Sequence, residues 1–185
     1  MKSSLKKNIL ITIASIAGLL LLVAAGLYLY FYLQFSSYQD DQYKFSMRYP
    51  KDWKVIVHPR ENVAVIFIKP KETALDTLQE TFYVTVQPVP ADIFNLDAFT
   101  GRVRKQMVGV FEKSINIAED KPIHWGWHQG HIMVFEASKP DHLKMINAWV
   151  LYQNQSYILT FLGDMNKFDQ DKLYVDEMIR SFQLQ

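Results

Sequence analysis

Hydrophobic and polar positions divide this chain into one long apolar stretch followed by many short patterned segments. From Asn8 to Leu33 (NILITIASIAGLLLLVAAGLYLYFYL) there is no charged residue. As a helix this run would extend roughly 39 Å at 1.5 Å per residue, more than the ~30 Å hydrocarbon core of a bilayer. The pattern then shortens to strand lengths. Lys44 to Tyr49 alternates Phe45, Met47 and Tyr49 inward, and Pro50 and Asp52 break it. Trp53 to Val57 and Val63 to Ile68 read as the next two strands, joined through a His58 to Asn62 turn. The mostly polar Lys69 to Glu80 segment reads as a loop, and Thr81 to Gln87 as a fourth strand. From Leu96 the period changes to three and four. Leu96, Phe99, Val103, Met107 and Val110 share one helical face, with Asn95 or Asp97 as the N-cap. Strand patterns resume at Ser114 to Ala118, Ile132 to Ala137, Lys144 to Tyr152 and Tyr157 to Leu162. A closing helix carries Phe168, Val175, Met178, Ile179 and Phe182 on one face, capped by Asp164 or Asn166.

Consecutive strands with short turns imply an antiparallel sheet with helices packed on it, so the fold class is α+β. The chain divides into a basic N-terminus (1–7), a transmembrane helix (8–33), a short tether (34–42) and one domain (43–185). Lys2, Lys6 and Lys7 precede the apolar run, while Asp40, Asp41, Lys44 and Arg48 mix signs after it. The positive-inside bias therefore keeps the N-terminus cytoplasmic and sends the domain across the plasma (inner) membrane, as a single-pass protein. A cleaved signal peptide is the rival, with Val23-Ala24-Ala25 as its small-residue site. The apolar pattern continues past that point, and Tyr28, Tyr30, Phe31, Tyr32, Phe35 and Tyr38 suit a headgroup layer, which favours a retained anchor. The chain has no cysteine, so thioether lipidation, disulfides and thiol chemistry are excluded. The 20 basic residues, less those three lysines, are narrowly outnumbered by 19 acidic ones. No nucleic-acid partner is implied.

The segment Tyr43-Lys44-Phe45-Ser46-Met47-Arg48-Tyr49-Pro50-Lys51-Asp52-Trp53 resembles the opening signature of PsbP-like domains, an aromatic strand running into Pro-x-x-Trp. The close is similar too: a strand from Gln155 to Leu162, then a helix from Phe168 ending in Ile179-Arg180-Ser181-Phe182. That family includes the extrinsic PsbP subunit of photosystem II, cyanobacterial and bacterial relatives, and DcrB-like proteins. The resemblance implies a non-enzymatic α/β/α sandwich that docks on, or helps assemble, a membrane protein complex, a photosynthetic reaction centre being one version. A membrane helix and the absence of a plastid transit peptide favour a bacterial relative.

Candidate chemistry is sparse. His124-Trp125-Gly126-Trp127-His128-Gln129-Gly130-His131 gathers three of the five histidines. His124, His128 and His131 are the alternative reading: a divalent-metal or metal-delivery module, with Asp120 or Glu136 as a possible carboxylate ligand. Placing the hairpin turn at His128-Gln129-Gly130 would put His124 and His128 on one side and His131 on the other. No other cofactor and no small-molecule substrate is implied. Trp127, beside the turn, is the tryptophan expected to be exposed as a partner contact, with Trp125 and Trp149 inside. Arg102, Arg104, Lys105 and Lys113 outline a basic helix face for an acidic partner or anionic lipid. Ala14 and Gly18 form a small-residue face on the apolar helix, suited to close helix contact in lipid. Asp164, Asp169, Asp171, Asp176 and Glu177 read as capping groups and a solvated face of the last helix. No Gly-x-Ser-x-Gly elbow, phosphate loop or His-Glu-x-x-His helix is present, so an enzyme is not expected.

Overall fold

The computed structural model describes residues 2–71, 73, 78–111, 115–137 and 142–185. They fall into two units, the first ending at Ser36 and the second spanning Ser37–Gln185. The side chains of 2–15 and of Val110, the residues Lys113 and Ser114, and part of the loop expected over Lys69 to Glu80 lie outside this description.

The first unit is α1 (Lys2–Leu33). Its Ile16–Leu33 stretch has a mean hydropathy of 2.2 and none of it is buried. Length and composition are those of a helix able to cross a membrane, as an anchor or as a signal sequence. Near its end the Tyr28 and Tyr32 rings lie 6.4 Å apart, and Phe31 meets Phe35 edge-on at 5.1 Å.

The second unit is an α+β sandwich. Its strands are β1 (Phe35–Asp40, the first two residues of which close the first unit), β2 (Phe45–Pro50), β3 (Lys54–Arg60), β4 (Val63–Ile68), β5 (Thr81–Pro88), β6 (Ile115–Trp125), β7 (His128–Ala137), β8 (Leu143–Tyr152), β9 (Gln155–Asp164) and β10 (Gln183–Leu184). Helices α2 (Leu96–Phe111) and α3 (Phe168–Arg180) complete it. Seven strands form one antiparallel sheet in the order β3-β4-β5-β9-β8-β7-β6, and β1-β2-β10 form a small second sheet. One face of the large sheet gives Phe67, Phe82, Val84, Leu159 and Phe161 to a core closed by Phe45 and Met47 of β2 and by Val175 and Met178 of α3. The other face gives Met133, Phe135 and Trp149 to a smaller core under Phe99 of α2. Period-2 and period-3.6 patterns thus meet across two apolar layers.

Val63–Ile68 begins and ends where the alternation predicts, and α2 starts at Leu96 as expected. The Asn95 side chain accepts the Ala98 amide at 2.8 Å and is the cap. Four expectations need correction. The stretch taken for a tether is largely strand, because Phe35–Asp40 pair into the small sheet. The turn after β3 is shorter, since β3 runs to Arg60 through Pro59, a residue tolerated on an edge strand. Lys167 precedes α3 with no side-chain cap, because Asp164 instead accepts the Asn166 amide at 2.8 Å in the preceding turn. Asp171 and Glu177 are buried rather than solvated. Asp171 is held by Lys69 at 2.8 Å, and Glu177 by Arg48 and Arg180.

Asp40, at the end of β1, ties the small sheet to β3. Its carboxylate accepts the Tyr43 amide at 2.9 Å, the Tyr38 hydroxyl at 2.8 Å, and pairs with His58 Nε2 at 2.9 Å. Burial pushes this carboxyl up, but the Tyr43 amide, His58 and Tyr38 outweigh it and hold it below the usual range. Burial, then the bond to Asp40, push the Tyr38 phenol up. A carboxyl depressed in the folded state adds stability that is complete above the unfolded value of about 3.9 and is lost as pH falls through the folded value. Asp40→Asn should therefore unfold with a flatter acid limb than the parent below about pH 4. Denaturant midpoints at pH 3 and pH 7 measure it; an unchanged midpoint difference would show that Asp40 contributes nothing to acid sensitivity.

Candidate functional site, a cleft beside an exposed tryptophan

The β6–β7 turn is expected at His128-Gln129-Gly130, whereas the structure places it at Gly126-Trp127. Gly126 has φ +58°, which glycine adopts freely, and Trp125 pairs directly with His128. Gly130 serves a different purpose. A Cβ there would lie 2.5 Å from Trp125 Cζ3 and 2.6 Å from the Trp149 carbonyl oxygen, so the Trp125 ring lies where a side chain would be. Trp125 is buried, meets Phe182 edge-on at 5.6 Å, and donates its indole N–H to the Ile179 carbonyl at 2.6 Å. The neighbouring Trp127, in the turn itself, is 100% exposed. Trp149 is buried and donates to Thr100 Oγ1 at 3.1 Å, as its expected core placement requires.

Register also decides what the histidines do. His128 shares a face with Trp125 and meets Tyr152 edge-on at 4.9 Å. His124 pairs with Gln129 and His131 with Pro122, both on the opposite face. His131 stacks on Trp149 at 5.3 Å, and its Nε2 lies 2.5 Å from Asp120, which also holds Arg104. Burial pushes the Asp120 carboxyl up, but His131 and Arg104 draw it below its ordinary range. The turn shift therefore separates His128 from the other two. Among the described residues no three histidine or carboxylate side chains are grouped to hold a metal ion.

The hairpin tip borders a cleft of about 330 Å³ whose opposite wall is Arg180, Phe182 and β10. Arg180 donates to Glu177 at 2.9 Å through Nε, and Glu177 also takes Arg48. Two guanidiniums thus share one buried carboxylate. The basic face of α2 is partly neutralised: Arg102 pairs with Asp92 at 3.0 Å and Arg104 with Asp120, while Lys105 is exposed. Gly18 stands on α1 with open space where a Cβ would go. A second cleft, of about 230 Å³, lies between Trp53 and Tyr174 beside the Lys69–Asp171 pair. Arg180, Phe182 and Leu184 were absent from the expected site. The signal for Arg180 and Phe182 was the closing Ile179-Arg180-Ser181-Phe182 motif, which reads as packing, and Leu184 had none. The cleft is lined by one guanidinium, two imidazole-bearing residues and apolar rings.

No family model matches the sequence, and no curated protein matches it. Solved structures do match in fold. The cyanobacterial PsbP protein CyanoP from Synechocystis sp. PCC 6803 is 13% identical, with a TM-score of 0.62 over 82% of this chain and 93% of that one. LpqN of Mycobacterium tuberculosis, described as involved in cell envelope biogenesis, is 10% identical with a TM-score of 0.57, covering 82% and 90%. The Ran-binding protein Mog1p of Saccharomyces cerevisiae is 9% identical with a TM-score of 0.55, covering 81% and 95%. At these identities the likeness concerns the fold alone, and that fold is PsbP-like.

Proposed function

We propose that this chain is a non-catalytic accessory or assembly subunit. In this reading α1 stays in the inner membrane with its N-terminus cytoplasmic, and the second unit docks on a larger membrane protein complex outside. The observation that carries the reading is Trp127. A fully exposed indole at a two-residue turn, beside a tryptophan that packs, contributes nothing to the core and is the kind of ring that anchors a partner. A photosynthetic reaction centre is one such complex, and an envelope complex of a non-phototrophic bacterium is another. Fold likeness alone does not choose between them. Gly18, Arg102 and Lys105 are secondary contact candidates. The alternative, a divalent-metal module at His124, His128 and His131, would need the hairpin to re-register so that His128 turns to the opposite face.

Gentle detergent extraction followed by native sizing tests the proposal. The parent should travel with a large complex. Trp127→Ala should run alone, with its unfolding free energy changed by no more than about 0.5 kcal/mol, as expected for an exposed side chain. A parent that runs alone at every detergent strength would overturn the subunit role. A mature chain beginning after Ala25 would overturn the anchor.

A further inference from the structure

The two helices of the second unit cover opposite faces of one sheet, and α2 is built far more weakly than α3. We propose that α2 is a detachable cover. It unwinds and lifts from the sheet while the rest of the second unit stays folded, and its glycines set how readily it does so. This goes beyond the docking role above and does not depend on it.

The residues of α2 work against a helix. Gly101 and Gly109 both lie within it, and a Cβ at either would meet nothing within 4 Å. Neither glycine therefore serves close packing. At an interior helical position each lowers the helix equilibrium about fivefold relative to alanine. The last turn of α2 carries no basic residue to meet the helix dipole, whereas α3 has Arg180 there and no glycine.

Packing does not make up the difference. Among the described residues, the core on the α3 side holds twenty-two buried apolar side chains and the core on the α2 side four. Helix α3 sends in Phe168, Val175, Met178 and Ile179. From α2 comes Phe99, with Leu96, Val103 and Met107 only half-buried. Two polar contacts latch the helix down. Trp149 donates its indole N–H to Thr100 at 3.1 Å, and Arg104 pairs with Asp120 of β6, which His131 of β7 also holds. The second latch lies near the surface, with the Arg104 side chain 45% exposed, where an ion pair contributes little. An element with few buried contacts opens at the low end of a protein's range of local stabilities. Beneath it Met133, Phe135 and Trp149 form an apolar strip that the lowered helix hides.

Native-state hydrogen exchange on the full chain in detergent micelles tests this. Amides of α2 should exchange at least about hundredfold faster than those in the middle of β9, with little dependence on added denaturant. Val84→Ala, which opens a hole on the α3 side, should speed β9 by about tenfold or more and leave α2 unchanged. Gly101→Ala should slow α2 by about fivefold. Arg104→Gln should speed it by about threefold. Because the chain has no cysteine, a single introduced thiol reports the lifting directly. Met133 and Val84 are both fully buried, one on each side of the sheet. Met133→Cys should react with a thiol reagent at least about tenfold faster than Val84→Cys, compared at equal global unfolding free energy. One exchange rate shared by α2 and β9, faster α2 exchange in Val84→Ala, no slowing by Gly101→Ala, or equal thiol reactivity would overturn the proposal.

Discussion

Gly130→Ala is expected to destabilise the second unit by about 3 kcal/mol, at the upper end for adding one carbon to a packed site. The methyl would meet Trp125 Cζ3 at 2.5 Å and the Trp149 carbonyl oxygen at 2.6 Å. Tilting the indole would relieve the first contact, but Trp125 is fixed by its bond to the Ile179 carbonyl and by Phe182. The second is backbone of the adjacent strand, where Gly130 pairs with Val150, and cannot yield without opening the β7–β8 ladder. Gly126→Ala is the matched control. It meets nothing within 4 Å and suffers only the positive φ of +58°, worth about 1–2 kcal/mol. Denaturant unfolding of the full chain in micelles, followed by tryptophan emission, measures both. If Gly126→Ala proved the more damaging, the assignment of one glycine to the turn and the other to close packing would be reversed.

Phe182→Ala should cost more, about 4 kcal/mol, because it deletes a large ring from a site with little room to collapse. Phe182 is 1% exposed and lies 5.3 Å from Phe45, 5.6 Å from Trp125 and 6.1 Å from Tyr157. It is the residue that passes from α3 into β10, so its loss should also free β10 and abolish protection of the Gln183 and Leu184 amides. Leu173→Ala, on the exposed side of α3, should change stability by no more than about 0.5 kcal/mol. A loss below about 1 kcal/mol at Phe182 would mean that the small sheet is not held through this aromatic cluster.

The contrast between these two sites shows how far the amino-acid order could be read. Val63–Ile68 and the start of α2 were legible because their apolar spacing is unambiguous and each is bounded by turn or capping residues. Trp127 was legible as exposed because it lies beside the expected turn. Two glycines four positions apart, however, look alike in sequence. Whether one supplies a positive φ or lack of a Cβ depends on Trp125 and Trp149, which approach only through pairing of β6, β7 and β8. Misassigning them moved the turn and with it the face of His128. β1 was missed because FSSYQD is short and polar and continues directly from an apolar run. β10 has two residues and no period to detect. Asp171 and Glu177 carry the signature of a solvated helix; their burial depends on Lys69 and Arg48, contributed by distant segments.

The small sheet imposes an order of events on biosynthesis. Its β2 lies near the start of the second unit and β10 near the end, and the Arg48 amide reaches Ser181 across 133 residues. As the ribosome works from one terminus to the other, Phe45 and Met47 emerge early and wait for the partner that will cover them. Closing so long a loop is entropically costly and slow, so this aromatic segment stays sticky for most of the time the nascent chain is being made. A chaperone that shields it should matter more to the yield of this protein than one acting on the hairpins between, which can zip as they appear.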